Sequence, residues 1–430
     1  MLEKLFQLRQ HGTTVRTEIL AGITTFLTMS YIIFVNPDIL SSTGMDRDAV
    51  FVATCLAAAI GTLIMAFVAN WPIGMAPGMG LNAFFAFTVV GAMGYSWQQA
   101  LGAVFISGVI FVLLTITGIR SWLIDGIPKS LRSAIAAGIG LFLAIIALGA
   151  SGIVVANPAT KVGLGDLTSA PALFAMLGFF VIAALDALKV RGAILIGILV
   201  VTVLSMLTGN NQFNGLFAAP PSLAPTFFQL DIMGALHTGF VHVILVLVLV
   251  EVFDATGTMI GVATRAGLIQ EGKPNRLGRA LFADSTAIVA GSFLGTSSTT
   301  AYVESASGVQ AGGRTGLTAL TVAILFLLAL FFSPLAGSVP AYATAPALLY
   351  VAGLMLREVT EIDWADITEA TPAALTVIVM PFTYSIANGL AFGFISYVVL
   401  KAITGKFREI HMATLLVAVL FVIKYAFFPD

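Results

Sequence analysis

Charged side chains are scarce in this sequence, since Asp, Glu, Lys and Arg make up only 10% of its 430 residues. Soluble domains carry about 25%. A soluble protein of this length would need a charged surface around its core, and this chain cannot supply one. Apolar residues reach 59%, and the mean hydropathy is +1.02. Lipid must therefore be the solvent for most of the surface, and the sequence predicts an all-α polytopic membrane protein.

Cysteine and clustered charge are also nearly absent. The single cysteine, Cys55, excludes a disulfide framework and a cysteine metal site. Without a basic run, the chain offers nothing for nucleic acid. The sequence contains no P-loop, zincin motif or nucleophile elbow, so we expect neither enzyme activity nor a bound metal.

Hydrophobic segments alternate with short polar stretches along the whole chain. A spanning helix needs about 20 mostly apolar residues, so the sequence predicts about fourteen spans. Spans 3 and 10, at about 13 to 16 residues, are too short to cross as helix alone. A further stretch, 411–428, is either an extra span or an interfacial helix. The fourteen segments are 19–35, 49–69, 78–93, 99–118, 133–150, 171–188, 192–208, 235–263, 280–294, 299–311, 315–333, 341–356, 371–386 and 388–404.

Loop charges test this count independently. If the N-terminus is cytoplasmic, the outside loops carry almost no basic residue besides Arg47 and Lys161. This positive-inside pattern would be lost if the count before any loop were wrong by one. We therefore expect a multi-pass protein of the bacterial inner membrane with a cytoplasmic N-terminus. The basic residues placed inside are Arg120, Lys129, Arg132, Lys189, Arg191, Arg265, Lys273, Arg276, Arg279, Arg314, Arg357, Lys401, Lys406 and Arg408.

The two halves of the chain resemble each other in order. ATCLAAAIGTLIMAFV corresponds to ADSTAIVAGSFLG, and IPKSLRSAIAAGIGLFL corresponds to VPAYATAPALLYVAGLML. Each half would hold seven spans, an odd number, so the second half must be inverted in the membrane. Inverted repeats of this kind are typical of transporters. We expect a first repeat at 1–215, a second at 216–408 and a C-terminal hydrophobic segment at 409–430.

Two short segments at matching places in the halves are interrupted by glycine, proline and small polar residues. They read WPIGMAPGMGLNAFFAF at 71–87 and GTSSTTAYVESASGVQAGG at 295–313. Each begins with an extended stretch and turns into a short helix. Such broken helices mark the substrate site of inverted-repeat transporters, because their ends expose backbone groups near the bilayer midplane.

Four polar residues within predicted spans stand out, because lipid makes them costly: Asn82, Glu251, Asp254 and Glu304. Each could instead cap or brace a neighbouring helix, as Asn82 would in a short span. Glu251 and Asp254 are three residues apart and share a helix face. A desolvated carboxyl takes up a proton more readily than one in water, and it can pair with a flat N–H/C=O edge. These residues favour a substrate with several such edges, carried together with a proton.

Aromatic residues near these positions could stack on a ring. Phe84, Phe85 and Tyr302 are the candidates, although such side chains more often pack against lipid or the protein core. Asp284, in the ninth predicted span, could pair within the core.

Three motifs occur in order: GMAPGMGLNAFFAF, EVFDATGTMIGVATRAG and SSTTAYVESASGVQAGGRTGLTAL. Together they resemble the AzgA-like purine permeases of the nucleobase/ascorbate transporter superfamily, and the resemblance covers essentially the whole chain. It implies 14 helices in two inverted repeats of seven. Spans 1–4 and 8–11 would form a core domain, spans 5–7 and 12–14 a gate domain, and short antiparallel strands would precede spans 3 and 10.

The same resemblance implies proton-coupled uptake of purine bases, with protons as coupling ion and no other cofactor. The core would move like an elevator against the gate. The form GMGLNAFF is more similar to the guanine/hypoxanthine branch than to the adenine branch, which stays the alternative; xanthine is a further candidate. The implied partners are a purine base, protons and the lipid bilayer, with a homodimer left open.

Residue roles follow from the same motifs. Asn82, Glu251 and Glu304 match the positions that contact the base, with Glu251 where some relatives have Asp. Asp254 matches an acid associated with coupling, alongside Glu251 and Glu304 as proton carriers. With the residues that would line the pocket, the candidate substrate-binding set is Asn82, Ala83, Phe84, Glu251, Thr256, Tyr302 and Glu304.

A passive channel or an anion transporter on the same scaffold is the alternative class. An anion carrier should place Lys or Arg where spans 3 and 10 meet. The sequence shows none there, since Arg314 lies beyond the short helix. A channel would need neither the pair of broken helices nor the titratable acids.

Overall fold

The chain folds into helices joined by mostly short connections, as its apolar segments predict. The computed structural model describes residues 2–236, 241–269 and 276–427. Its first half contains α1 (Leu2–Phe6), α2 (Val15–Met29), α3 (Ile32–Ser41), α4 (Arg47–Ile64), β1 (Met75–Pro77), α5 (Met79–Ala83), α6 (Trp97–Ile116), α7 (Ile119–Asp125), α8 (Lys129–Ala150), β2 (Val154–Asn157), β3 (Lys161–Leu164), α9 (Ala170–Ala187) and α10 (Ala193–Leu207). Its second half contains α11 (Ile232–Ala235), α12 (Val241–Arg265), α13 (Leu277–Leu294), β4 (Thr299–Ala301), α14 (Ser305–Gln310), α15 (Gly316–Ala329), α16 (Ser333–Gly337), α17 (Ala341–Met355), α18 (Ile367–Phe382), α19 (Ile386–Ile403) and α20 (Met412–Phe427).

Every predicted span coincides with a helical segment, which confirms the multi-pass helical fold. In the described part of the chain, nine helices are long and apolar enough to cross a bilayer. The first span is longer than predicted, because α2 begins at Val15 and the chain continues through a short break into α3. The apolar criterion missed its first turn because that turn contains Glu18. The structure buries Glu18, whose carboxylate accepts the backbone N–H groups of Arg314 (2.9 Å) and Thr318 (3.2 Å) and so caps α15.

The two interrupted segments meet as a pair of short strands. β1 pairs antiparallel with β4, with Met75 opposite Ala301. Beyond the ladder, the Gly78 N–H donates to the Ser298 carbonyl (2.8 Å), and the Tyr302 N–H donates to the Gly74 carbonyl (3.0 Å). The short antiparallel strands predicted before the helices of spans 3 and 10 are confirmed, but β4 takes the first residues of predicted span 10, 299–311, whose helix begins only at Ser305. We call the meeting point of the two strands the strand crossing.

A short helix follows each strand of the crossing. After β1, α5 continues as a π-helix over Phe84–Ala92. After β4, α14 has only six residues and packs against α2. This approach requires glycine at Gly308, because a Cβ there would lie 2.0 Å from the Thr25 hydroxyl. Both helices are short, as the sequence predicts.

The long helices pack as two sets. The crossing set contains β1 and β4 with α2, α3, α4, α5, α6, α12, α13, α14 and α15, and the flanking set contains α8, α9, α10, α17, α18 and α19. The sets contact each other through α3 with α17, α5 with α8, α2 with α10, and α12 with α8. The strand crossing therefore lies within one set and close to the boundary with the other.

The connection between α8 and α9 holds a hairpin that the sequence analysis did not predict. β2 pairs antiparallel with β3, and Asn157 closes the turn by accepting the N–H groups of Ala159 (2.9 Å) and Thr160 (3.2 Å). Strand residues here are mostly exposed, so the alternation that marks a half-buried strand is missing.

The C-terminal hydrophobic segment forms α20, which runs antiparallel along α19. At one end, Lys401 of α19 pairs with Glu409 (2.6 Å), just before α20 begins. At the other end, the Tyr425 hydroxyl donates to the Asn388 side chain (2.6 Å), near the start of α19. One face of α20 is buried, and its opposite face is exposed and apolar, as expected of a helix in lipid. The exposed apolar residues are Leu416, Val419, Val422 and Ile423.

We predict that α20 crosses the membrane, because it covers both ends of a spanning helix. In a Cys55→Ser background, a cysteine at exposed Thr404 and one appended after Asp430 should then lie on opposite sides. A membrane-impermeant maleimide should label one of them in intact cells and the other only after permeabilisation. Labelling of both under the same condition would place α20 on the membrane surface instead.

Candidate functional site

The carboxyl group of Glu251 lies fully buried on α12, which contacts α5, β4 and α14. Its Oε1 accepts a long hydrogen bond from the Ser107 hydroxyl of α6 (3.4 Å). The Ser298 hydroxyl lies close to the same carboxyl but outside hydrogen-bonding geometry. Within the described residues, Oε2 has no partner. A buried acceptor without a partner is costly, and it marks a place where a ligand or proton can bind.

The side chain of Asn82 lies fully buried on α5, directly after the strand crossing. Its Oδ1 accepts a close hydrogen bond from the Ser297 hydroxyl, in the segment that leads into β4. No described residue bonds to its Nδ2. Ser297 therefore orients the amide and leaves its N–H donors available.

Glu304 and Tyr302 are placed together on the side of the crossing that faces α2 and α3. The half-buried Glu304 accepts the Tyr31 hydroxyl at 2.6 Å. The Tyr302 hydroxyl donates to the Pro77 carbonyl (2.5 Å), and its ring lies 6.5 Å from the Tyr31 ring. Tyr302 thus helps to hold β1, and Glu304 contacts the break between α2 and α3.

The remaining predicted site residues differ in their surroundings. Ala83 and Phe84 follow Asn82 and are fully buried, with Phe84 in the main hydrophobic core. Thr256 is also buried, but its hydroxyl accepts hydrogen bonds from Arg120. The side chain of Asp254 lies outside the described residues.

The sequence analysis counted Arg120 among the loop charges, and the structure corrects this interpretation. Its guanidinium is buried and forms an ion pair with Asp284 (3.0 Å). Asp284 in turn accepts the Thr300 hydroxyl of β4 (3.3 Å). The expectation that no cation lies near the crossing is therefore wrong, because α7 folds back into the protein. The expected pairing of Asp284 within the core is confirmed.

Sequence reasoning also missed Ser107, Ser297 and Tyr31, each of which contacts a predicted site residue. Ser297 lies inside the interrupted segment that we singled out, so its place was readable. Ser107 lies in an ordinary apolar helix and Tyr31 at the break between α2 and α3, and only the tertiary fold brings them to the site. For Arg120, the signal was an acid in a span, Asp284, that needed a partner.

The arrangement offers an N–H donor on Asn82 and a carboxyl acceptor on Glu251, held on two elements that contact each other. A planar heterocycle with an acceptor and an N–H along its edges could satisfy both. No group of three or more His, Cys, Asp or Glu side chains in the described part of the chain could hold a metal ion.

Comparisons with known proteins identify the family of the chain. The Permease family profile matches residues 16–392. Adenine permease AdeP of Escherichia coli K12 is 51% identical over 428 residues, covering 99% of this chain and 96% of that protein. Guanine/hypoxanthine permease PbuG of Bacillus subtilis is 46% identical over 438 residues, covering 99% of this chain and all of that protein.

Among solved structures, the transmembrane domain of the cyanobacterial bicarbonate transporter BicA is similar, with a TM-score of 0.66. The match covers 87% of this chain and 97% of that one at 16% identity, so it shows the fold alone. The chain belongs to the Permease family, in the part of the nucleobase/ascorbate transporter superfamily that contains the adenine and guanine/hypoxanthine permeases.

Proposed function

We propose that this chain carries purine nucleobases across the bacterial inner membrane, coupled to protons. The observation that carries the proposal is a pair of buried groups, Asn82 Nδ2 and Glu251 Oε2, that have no partner among the described residues and lie on contacting elements beside the strand crossing. Purine bases present acceptor and N–H groups along flat edges, which suits an amide donor and a carboxyl acceptor. The names of the relatives support the same class of substrate.

Two purine subclasses have separate support. The motif GMGLNAFF favours guanine and hypoxanthine, with xanthine as a further candidate. Overall identity favours adenine, since two adenine permeases of Escherichia coli share 51% and 49% with this chain, against 45% and 46% for two guanine/hypoxanthine permeases of Bacillus subtilis. Both subclasses fit the donor and acceptor of the site.

For the transport step, we propose that the crossing set is a core domain that moves against the flanking set as a gate. Each set would combine helices from both inverted repeats, 1–215 and 216–408. Among the contacts that join the sets and would have to break, Asp38 accepts the Thr344 hydroxyl (2.8 Å), and Arg47 donates to the Val339 carbonyl (2.9 Å). With a cytoplasmic N-terminus, both contacts lie on the outer side.

The proposed coupling uses the carboxyl group of Glu251. Proton uptake on its open oxygen would neutralise a buried charge as the base binds, which lowers the cost of moving the loaded core through the membrane. Asp254 and Glu304 are the further candidates for the proton. A homodimer is compatible with this scheme but is not required by it.

Uptake of radiolabelled bases tests the function directly. In cells that lack their own permeases, we expect accumulation of hypoxanthine and guanine, or of adenine, that a protonophore abolishes. Uptake of adenine alone would assign the chain to the adenine permeases. If none of these bases, nor xanthine or uracil, enters above background, the proposed substrate class is wrong.

Glu251→Gln should abolish accumulation, because glutamine keeps the shape of the side chain but cannot take up and release a proton. The measurement is the ratio of internal to external base with a proton gradient imposed. Glu361→Gln is the matched control, since Glu361 is exposed and paired with Lys129 outside the site. Accumulation by Glu251→Gln with unchanged affinity would remove the role assigned to Glu251.

Ser297→Ala should raise the KM for the base by about tenfold, the value of roughly one buried hydrogen bond, because it releases the Asn82 amide. Ser292→Ala is the control, since Ser292 is equally buried but donates within its own helix to the Val289 carbonyl. Kinetics of uptake at equal protein amounts decide the matter. Equal KM values for the two variants would mean that Ser297 does not orient the site.

A further inference from the structure

Arg120 is a fully buried cation in a protein whose surroundings are lipid. Its Nη2 contacts Asp284 (3.0 Å) and the Thr256 hydroxyl (3.1 Å), and its Nη1 donates to the Leu281 carbonyl (3.1 Å). The guanidinium also lies over the Phe111 ring, with 3.9 Å to the ring centre. Burial of this charge is tolerable only because an anion and several acceptors surround it.

These contacts join α7 to three other helices. Thr256 lies on α12, Leu281 and Asp284 on α13, and Phe111 on α6, while Arg120 itself lies on α7. A lysine ammonium could pair with Asp284 but could not reproduce the planar fan of donors or the stacking on Phe111. The geometry therefore uses the guanidinium as a junction and not only as a charge.

The junction joins the two halves of the candidate site. On one side, Thr256 lies five residues after Glu251 on the same helix. On the other side, Asp284 accepts the Thr300 hydroxyl of β4 (3.3 Å). Ser297, which orients Asn82, lies just before that strand. Arg120 and Asp284 thus connect the helix of the carboxyl group to the strand of the amide group.

We propose that the Arg120–Asp284 pair is a positioning element that sets the strand crossing, and with it Asn82 and Ser297, relative to Glu251. The two residues do not touch the base. They neutralise each other, so that the guanidinium is kept from pairing with Glu251. This inference rests on the proposed function, because uptake of a base is its readout.

The sharpest test leaves the ion pair intact and removes only the hydrogen bond from the Thr300 hydroxyl to Asp284. Thr300→Val keeps the shape of the side chain and creates no buried charge, so the protein should fold. We expect the KM for the base to rise about tenfold at little change in Vmax, which corresponds to roughly one hydrogen bond. A wild-type KM in Thr300→Val would overturn the proposal.

Charge variants provide a second and independent arm. Arg120→Gln and Asp284→Asn should each lower the amount of protein in the membrane, because each leaves one buried charge unpaired. The double variant Arg120→Gln/Asp284→Asn should restore that amount but keep a raised KM. Arg120→Lys should behave like the double variant, since it retains neutrality but loses the contacts with Thr256 and Leu281.

Lys129→Gln is the control. Lys129 lies on α8, the helix after α7, and the substitution breaks its exposed ion pair with Glu361. It should leave KM unchanged. A double variant or Arg120→Lys with restored protein and wild-type KM would show that the pair only neutralises its own burial. Uptake by the wild-type chain, measured in the same cells, separates a failure of this proposal from a failure of the proposed function. Absence of wild-type uptake contradicts the proposed function, and the ratio of variant to wild-type KM tests the pair.

Discussion

Backbone N–H and C=O groups in the middle of a bilayer must find partners within the protein, because lipid offers none. Two spans of this chain are broken at that depth, and the antiparallel pairing of β1 with β4 satisfies both at once. Each strand is only three residues long, so side chains complete the junction. Tyr302 donates to the Pro77 carbonyl, and Ser305 accepts the Gly74 N–H (3.0 Å). The rest of the site depends on this crossing.

Once the crossing is formed, it determines which polar groups are left over. The segment that leads into and through β4 is rich in serine and threonine, whose hydroxyls are short and stay near the backbone. Ser297 bonds to Asn82 and Thr300 bonds to Asp284, while Asn82 Nδ2 and Glu251 Oε2 keep open positions among the described residues. Such a site favours a ligand that forms hydrogen bonds with both groups, because a ligand that reaches only one leaves the other buried and unpaired.

Hydropathy was sufficient to predict the spans, because a helix that crosses a bilayer needs about 20 mostly apolar residues. The strand crossing was readable from two interrupted segments at matching places. Contacts between residues far apart in the chain could not be predicted from the sequence. Glu18 caps α15 some 300 residues away, and Arg120 looks like a loop charge until α7 folds inward. Such partners depend on the tertiary packing of the helices, which a single sequence does not reveal. Asn82 and Glu251 could be singled out because a polar side chain inside a membrane span is energetically costly.

The charges at the strand crossing influence whether the site accepts an anion or a neutral substrate more than the scaffold does. The argument from sequence against an anion carrier assumed that no cation lies there, and Arg120 removes that premise. In the structure, Asp284 neutralises most of the guanidinium charge through an ion pair of 3.0 Å, and Arg120 interacts with Glu251 only electrostatically. Glu251 then remains as a carboxyl group without a basic partner among the described contacts. An anion would meet repulsion at such a site, whereas a neutral base with an N–H to donate, or a proton, would be stabilised. A fold shared with an anion transporter can therefore serve a neutral substrate through a single buried ion pair.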